Sequence, residues 1–214
     1  MNMEKESMGT TLIAIQCVDG VVIASDSRTS QGVYVTSRAT NKITQISPHV
    51  FFARCGAASD TQALSKFAKY FLNVLSVNSE APFARSVTVC ANVLRKLIQG
   101  NKGRLTAGIL CAGYDETDGP AVWSVETSGM ALRRKYATAG SGSAFMTAYC
   151  DENFREDFTV EEASKFAVNA VTGAIVRDGS SGGAVNLVVV TKEGSKRSTV
   201  RPAQQPFNYS VVNT

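Results

Sequence analysis

Four amphipathic stretches, grouped in two pairs between strand-like runs, constrain the fold of this chain more than any other feature. In the first pair, Leu64, Phe67, Ala68, Phe71 and Leu75 recur at helical spacing behind a Ser59 or Asp60 cap. A second helix follows Pro82, with Cys90, Val93, Leu94 and Leu97 on one stripe and Gly100 as its stop. The second pair runs from about Ser143 to Glu152 and from Thr159 onward. Thr159 and Glu162 form a capping box, in which each side chain satisfies the other residue's free N–H. The inner face of that last helix is Ala163, Phe166, Ala167, Ala170, Val171 and Ala174, an alanine-rich surface that predicts close packing.

Strand-like runs fill the rest. Thr10 to Val18 and Val21 to Ala24 flank Asp19-Gly20, a strong hairpin signal because both turn residues tolerate positive φ. Further strands are expected at Val33 to Val35, Lys42 to Ile46, Val50 to Ala53, Ala107 to Ala112, Val122 to Val125 and Met130 to Ala137. Ala184 to Thr191 is nearly all apolar, as a strand buried on both faces would be, and a short strand near Ser198 to Val200 follows. Amphipathic helix pairs need a sheet to cover. The order therefore predicts an α+β fold, a four-layer α-β-β-α sandwich of two stacked sheets with a helix layer outside each. With 214 residues, 44% of them hydrophobic, one domain with a sizeable core is expected.

The formal charge is +4 with no basic block, which leaves no nucleic-acid or membrane footprint. Five cysteines, an odd count without metal-ligand spacing, read as buried free thiols of a reducing compartment. No metal and no cofactor is expected. No apolar run approaches the roughly 18 residues of a membrane span. Residues 1–9 form a short polar leader with Glu4 and Glu6, unlike a secretory signal. The tail 202–214 is polar and is expected to reach over a surface. The one histidine, His49, sits beside a proline in a turn and has no nucleophile partner in the sequence.

A different nucleophile is available. If the Gly9–Thr10 bond is cut, Thr10 gains a free α-amine of reference pKa about 7.7–8.0. That amine can take the proton of its own hydroxyl without a histidine. A nearby lysine would depress the amine's pKa by like-charge repulsion, and a carboxylate would hold the lysine. Lys42 and Asp26, on what read as neighbouring early strands, are the candidates.

The set Gly9-Thr10-Thr11, Ala24-Ser25-Asp26-Ser27-Arg28-Thr29, Asn41-Lys42, Arg54-Cys55-Gly56, Gly140-Ser141-Gly142-Ser143 and Arg177-Asp178-Gly179-Ser180-Ser181-Gly182-Gly183 resembles the proteasome β subunits, N-terminal nucleophile hydrolases, over nearly the whole chain. The resemblance implies the same four-layer fold, a leader 1–9 released by self-cleavage between Gly9 and Thr10, and a catalytic domain 10–214. It implies Thr10 as nucleophile, Asp26 and Lys42 as its polar support, Ser141, Asp178 and Ser181 around the threonine amine, and the Gly56 N–H as oxyanion donor. Thr29, Ser30 and Ala58 would pair with an extended, unfolded polypeptide substrate as an added strand. Within the family the pattern is that of the β1, caspase-like type: Arg54 at the base of the pocket for the residue before the cut, with Thr40 and Thr61 lining it. Ala57 departs from the serine that relatives often carry. The implied partners are other β subunits in a seven-membered ring, a second β ring and α-ring subunits, in cytoplasm and nucleus. Two other readings fit these motifs, a β-type ring subunit without activity and a homo-oligomeric protease of the same fold. Retained Gly9, Thr10 and Lys42 speak against the first, Arg54 and the C-terminal extension against the second.

Overall fold

The computed structural model describes residues 9–32, 34–78 and 86–206. Met1 to Met8, Val33, Pro82 and the tail beyond Pro206, all named above, lie outside them. The chain opens on a hairpin of β1 (Leu12–Cys17) and β2 (Gly20–Ser25), with its turn one residue earlier than expected. Cys17 pairs with Gly20, so Val18 and Asp19 make the turn, and Gly20 is not among the positive-φ glycines. A Cβ on Gly20 would lie 2.3 Å from the Val190 carbonyl oxygen. The glycine therefore serves the close approach of β11 (Val185–Thr191), not the turn.

A small hairpin follows, β3 (Thr29–Gln31) and β4 (Tyr34–Ser37). Then come β5 (Ile43–Ser47), β6 (Val50–Gly56), α1 (Ala58–Asn78), α2 (Val87–Gly100), β7 (Ala107–Asp115), β8 (Gly119–Val125), β9 (Ala131–Arg134) and β10 (Tyr136–Ala139). The last elements are α3 (Ser143–Asn153), α4 (Val160–Arg177), β11 and β12 (Gly194–Val200). The strands form two antiparallel five-stranded sheets, ordered β10-β1-β2-β11-β12 and β5-β6-β7-β8-β9, beside the β3–β4 pair. Met130 to Ala137 is not one strand: β9 pairs with β8 and β10 with β1, so the chain changes sheets at Lys135. Arg133, Arg134 and Lys135 are exposed; the first two end β9 at the edge of its sheet, where charged side chains reach solvent, and the crossing falls at Lys135.

Strand alternation builds the layers. Leu12, Ala14, Ile23, Phe51, Leu110 and Val188 meet between the sheets. Their neighbours turn outward. Ile13, Ile15, Val22 and Leu187 pack under α3 and α4, and Phe52, Ile109 and Cys111 pack under α1 and α2. The result is the four-layer α-β-β-α sandwich. The alanine face of α4 is buried as its spacing predicts, and both arms of the Thr159–Glu162 capping box are formed.

The stripe of α1 is displaced. Leu64, Ala68 and Leu72 face the sheet, while Phe67, Phe71 and Leu75 are 58%, 44% and 44% exposed. The helix is apolar on two overlapping faces, and spacing alone does not say which one covers its own sheet. Nor does Ser59 or Asp60 cap it: the helix starts at Ala58, and Asp60 Oδ2 accepts from the Thr106 N–H at 2.9 Å.

Loss of the α4 cap should be measurable. Thr159→Ala is expected to cost about 1 kcal/mol, roughly 2–4 °C in Tm for a domain of this size, with thermal unfolding as the check.

Candidate functional site

Asp26 follows β2 and Lys42 precedes β5. These strands lie in different sheets, so the two residues meet across the inter-sheet space, not along neighbouring strands of one sheet as chain order suggested. Asp26 is fully buried and Lys42 is 6% exposed. Lys42 Nζ stands 2.7 Å from Asp26 Oδ1. The carboxylate also accepts three backbone N–H groups, from Thr11 at 3.0 Å, Arg28 at 3.2 Å and Gly182 at 3.1 Å. Lys42 spends its remaining protons on Thr10 Oγ1 and the Gly9 carbonyl oxygen, each at 3.0 Å. Burial pulls the Lys42 pKa below its ordinary 10.5, against the charge and hydrogen bond of Asp26.

Thr10 is buried at the head of β1, and its Oγ1 donates to the Gly9 carbonyl at 2.7 Å. Its N–H donates to Ser141 Oγ at 3.2 Å. Ser141 and Ser181 donate to Asp178 Oδ2 at 2.7 and 2.6 Å, and the Ser180 N–H donates to Asp178 Oδ1 at 3.1 Å. Burial pushes the Asp178 carboxyl up, but the hydrogen bonds from Ser181, Ser141 and Ser180 outweigh it and hold its pKa below the ordinary value. Two glycines let the loops close on Thr10. A Cβ on Gly9 would lie 2.1 Å from Ser180 Cβ, and one on Gly140, at φ +89°, would lie 2.1 Å from the Thr10 carbonyl oxygen.

A cleft opens from Thr10 between the β3 strand and the start of α1. Thr29, Ser30, Thr40, Arg54, Gly56, Ala58 and Thr61 all line it, together with Gly9, Lys42 and Gln62. Every residue proposed from the sequence thus lies in this cleft or in the hydrogen-bond network around Thr10. Thr29 Oγ1 donates to Thr40 Oγ1 at 2.8 Å. Arg54 reaches the Asn41 carbonyl at 2.9 Å, but its Nε has no partner and no carboxylate pairs with it among the described residues. Burial draws its pKa down. His49 lies elsewhere, its Nδ1 3.2 Å from the Thr191 carbonyl oxygen. The five cysteines are free, and no cluster able to hold a metal exists among the described residues.

The sequence reading missed Thr11, Gly182 and Gln62. The Thr11 N–H holds Asp26, and its hydroxyl donates to Ser181 Oγ at 2.8 Å, joining the two carboxylate networks. Thr11 and Gly182 stand inside the quoted motifs, which was their only signal. Chemically, the site offers a hydroxyl against a carbonyl, with an ammonium touching both.

A model of the proteasome subunit family matches residues 6–190. The chain is similar to the probable proteasome subunit beta type-1 of Schizosaccharomyces pombe, 42% identical over 190 residues, 89% of this chain and 83% of that protein. It is 39% identical to the Saccharomyces cerevisiae proteasome subunit beta type-1 over 196 residues, 92% of this chain and 90% of that one. It is 38% identical to the Arabidopsis thaliana proteasome subunit beta type-6 over 192 residues, covering 90% and 82%.

The network ranks two variants. Lys42→Ala leaves Asp26 with its three N–H donors and should stay folded. Asp26→Ala orphans those donors and strips Lys42 of its anion, a loss of about 3–5 kcal/mol. Denaturant unfolding should show the Asp26 variant as clearly the less stable.

Proposed function

The chain belongs to the proteasome subunit family, and on that premise we propose that it is a threonine protease that releases its own nucleophile and cuts polypeptides after acidic residues. At the coarser level, it is a β-type subunit of the 20S proteasome and a protease acting in protein degradation. The observation that carries the finer reading is one contact set. Thr10 Oγ1 lies 2.7 Å from the Gly9 carbonyl oxygen, and Lys42 Nζ lies 3.0 Å from both.

In the first step Thr10 Oγ attacks the Gly9 carbonyl carbon while the Lys42 ammonium stabilises the developing oxyanion. The C–N bond breaks, the acyl group passes to oxygen, and the Thr10 nitrogen takes up the proton. Water then hydrolyses the ester and leaves Thr10 with a free amine. Gly9 fits this role through close packing: it is absent from the positive-φ glycines, and the Ser180 contact, not a strained turn, requires it to be glycine.

In the mature site the amine takes the hydroxyl proton as oxygen attacks a substrate carbonyl. The Gly56 N–H and Lys42 charge support the tetrahedral oxyanion. The amine passes its proton to the leaving nitrogen, and water releases the acyl group by the same route in reverse. Ser141, Asp178 and Ser181 hold and solvate the amine. The substrate lies as an extended strand against Thr29, Ser30 and Ala58.

Arg54 supplies the specificity. A half-buried guanidinium without a carboxylate is costly unless a partner arrives, and an Asp or Glu side chain can pair with it in parallel. The exposed aromatic and aliphatic residues of α1, among them Phe67, Tyr70 and Phe71, are a surface of the kind that assembly covers. This supports assembly with other subunits, which in our reading is a seven-membered β ring stacked on a second and flanked by α rings.

Two variants test the proposal in assembled particles. Thr10→Ala should abolish peptidase activity and leave residues 1–9 attached, read by intact-mass spectrometry. Arg54→Met should keep Thr10 reactive toward a covalent probe but lose the acidic preference. That preference is expected to be at least about tenfold, since one charge-assisted hydrogen bond is worth roughly 1.5–3 kcal/mol. Wild type preferring large apolar residues, on peptides differing only at that position, would refute the assignment.

A further inference from the structure

A second cavity, of about 340 Å³, adjoins the substrate cleft on the far side of Gly56, which lines both. The alternation of β6 explains the pairing: Arg54 turns into the first cavity and Cys55 into the second. Gly56 is the one described residue that lines both cavities, and Gly9 and Thr10 line only the first. Gly9, the acyl residue in self-cleavage, lines the first. A leaving nitrogen must take its proton from the Thr10 nitrogen, which rests on Ser141. Gly140 and Ser143, flanking Ser141, line the second cavity. The second cavity is thus the one next to the residue that holds the proton-donating nitrogen, on the leaving side of the cut.

The charge of this cavity has one source. Glu126 is the only acidic or basic side chain among its described lining residues. Burial raises the Cys55 thiol to about 11, so that wall stays neutral. Ser124 Oγ donates to Glu126 Oε1 at 2.7 Å and orients the carboxylate. Glu126 forms no ion pair with any described residue. Lys135, on an adjoining cavity that Glu126 also lines, is 3.1 Å from Glu156 instead. Arg134 lines only that adjoining cavity.

We propose that this cavity is a leaving-side subsite that receives a Lys or Arg side chain from one of the first two residues after the cut, with Glu126 as its charge partner. The proposal rests on Thr10 being the nucleophile. It makes the preferred cleavage motif an acidic residue followed closely by a basic one, read by Arg54 and Glu126 on opposite sides of the bond. Glu126 is exposed, so the preference is modest, roughly two- to fivefold, and it weakens with added salt.

The test uses assembled particles and internally quenched peptides with Asp before the cut. The two following positions carry Lys, Ala or Glu in turn. Wild type should favour Lys over Glu at one of them by kcat/KM. Glu126→Gln, which retains an acceptor for Ser124, should flatten the ratio, and Glu126→Lys should reverse it. Equal cleavage of the wild-type panel, or an unchanged ratio in Glu126→Gln, overturns the subsite while leaving the Thr10 assignment intact. Wild type cleaving none of the peptides overturns the proposed function and the subsite with it.

Discussion

The buried pair of Asp26 and Lys42 is the interaction on which the rest of the site depends. Neither ion could stand unsolvated between two apolar sheets, because an isolated buried charge costs several kcal/mol. Their 2.7 Å contact offsets part of that cost. The rest of the compensation is polar: three backbone N–H groups on the carboxylate, and two oxygens on the ammonium besides Asp26. Those oxygens belong to Thr10 and Gly9. The fold therefore cannot satisfy its own buried lysine without bringing the hydroxyl and the preceding carbonyl to one point. Stability and reactivity share the same hydrogen bonds.

The second carboxylate does a different job. Asp178 has no described lysine in contact; its pKa is lowered mainly by hydroxyl and amide donors that oppose its burial. It fixes Ser141 and Ser181, and through them the Thr10 nitrogen and the Thr11 hydroxyl. The segment after α4 carries both functions, since Gly182 donates to Asp26 while Asp178 and Ser181 face Thr10. A single loop thus links the network that holds the Thr10 nitrogen to the carboxylate that pairs with Lys42, the cation in contact with the Thr10 hydroxyl.

Layer order was legible because it depends on spacing. The capping box and alanine face of α4 are local patterns that no tertiary contact overrode. What escaped detection depends on contacts distant in sequence. Gly20 looked like a turn glycine, and only β11 at 2.3 Å gives its actual reason. The stripe of α1 is ambiguous because Leu72 and Phe71 belong to overlapping faces. The division of 130–137 between two sheets is set by partners distant in sequence, β8 for the first half and β1 for the second. At the site, Thr10, Asp26 and Lys42 were individually unremarkable and gained meaning only as a set. Thr11 and Gly182 act mainly through backbone N–H groups, which every non-proline residue has, so side-chain chemistry could not single them out.

On the proposed function, the two cations of the cleft divide fixed chemistry from selective binding. Lys42 has an acceptor for each of its three protons, so it is rigid before any substrate arrives, as electrostatic stabilisation requires. Arg54 spends one donor on the Asn41 carbonyl and leaves Nε without a partner. The first arrangement favours catalysis of any peptide bond that reaches Thr10. The second imposes a penalty that an acidic side chain relieves and a basic one worsens. β5 and β6 separate the two roles: Lys42 enters from the start of β5 and Arg54 from near the end of β6, with the Arg54 N–H donating to the Lys42 carbonyl at 3.0 Å. If Arg54 reads the substrate as proposed, exchanging it for a neutral side chain alters which bonds are cut and leaves the Lys42 contacts in place.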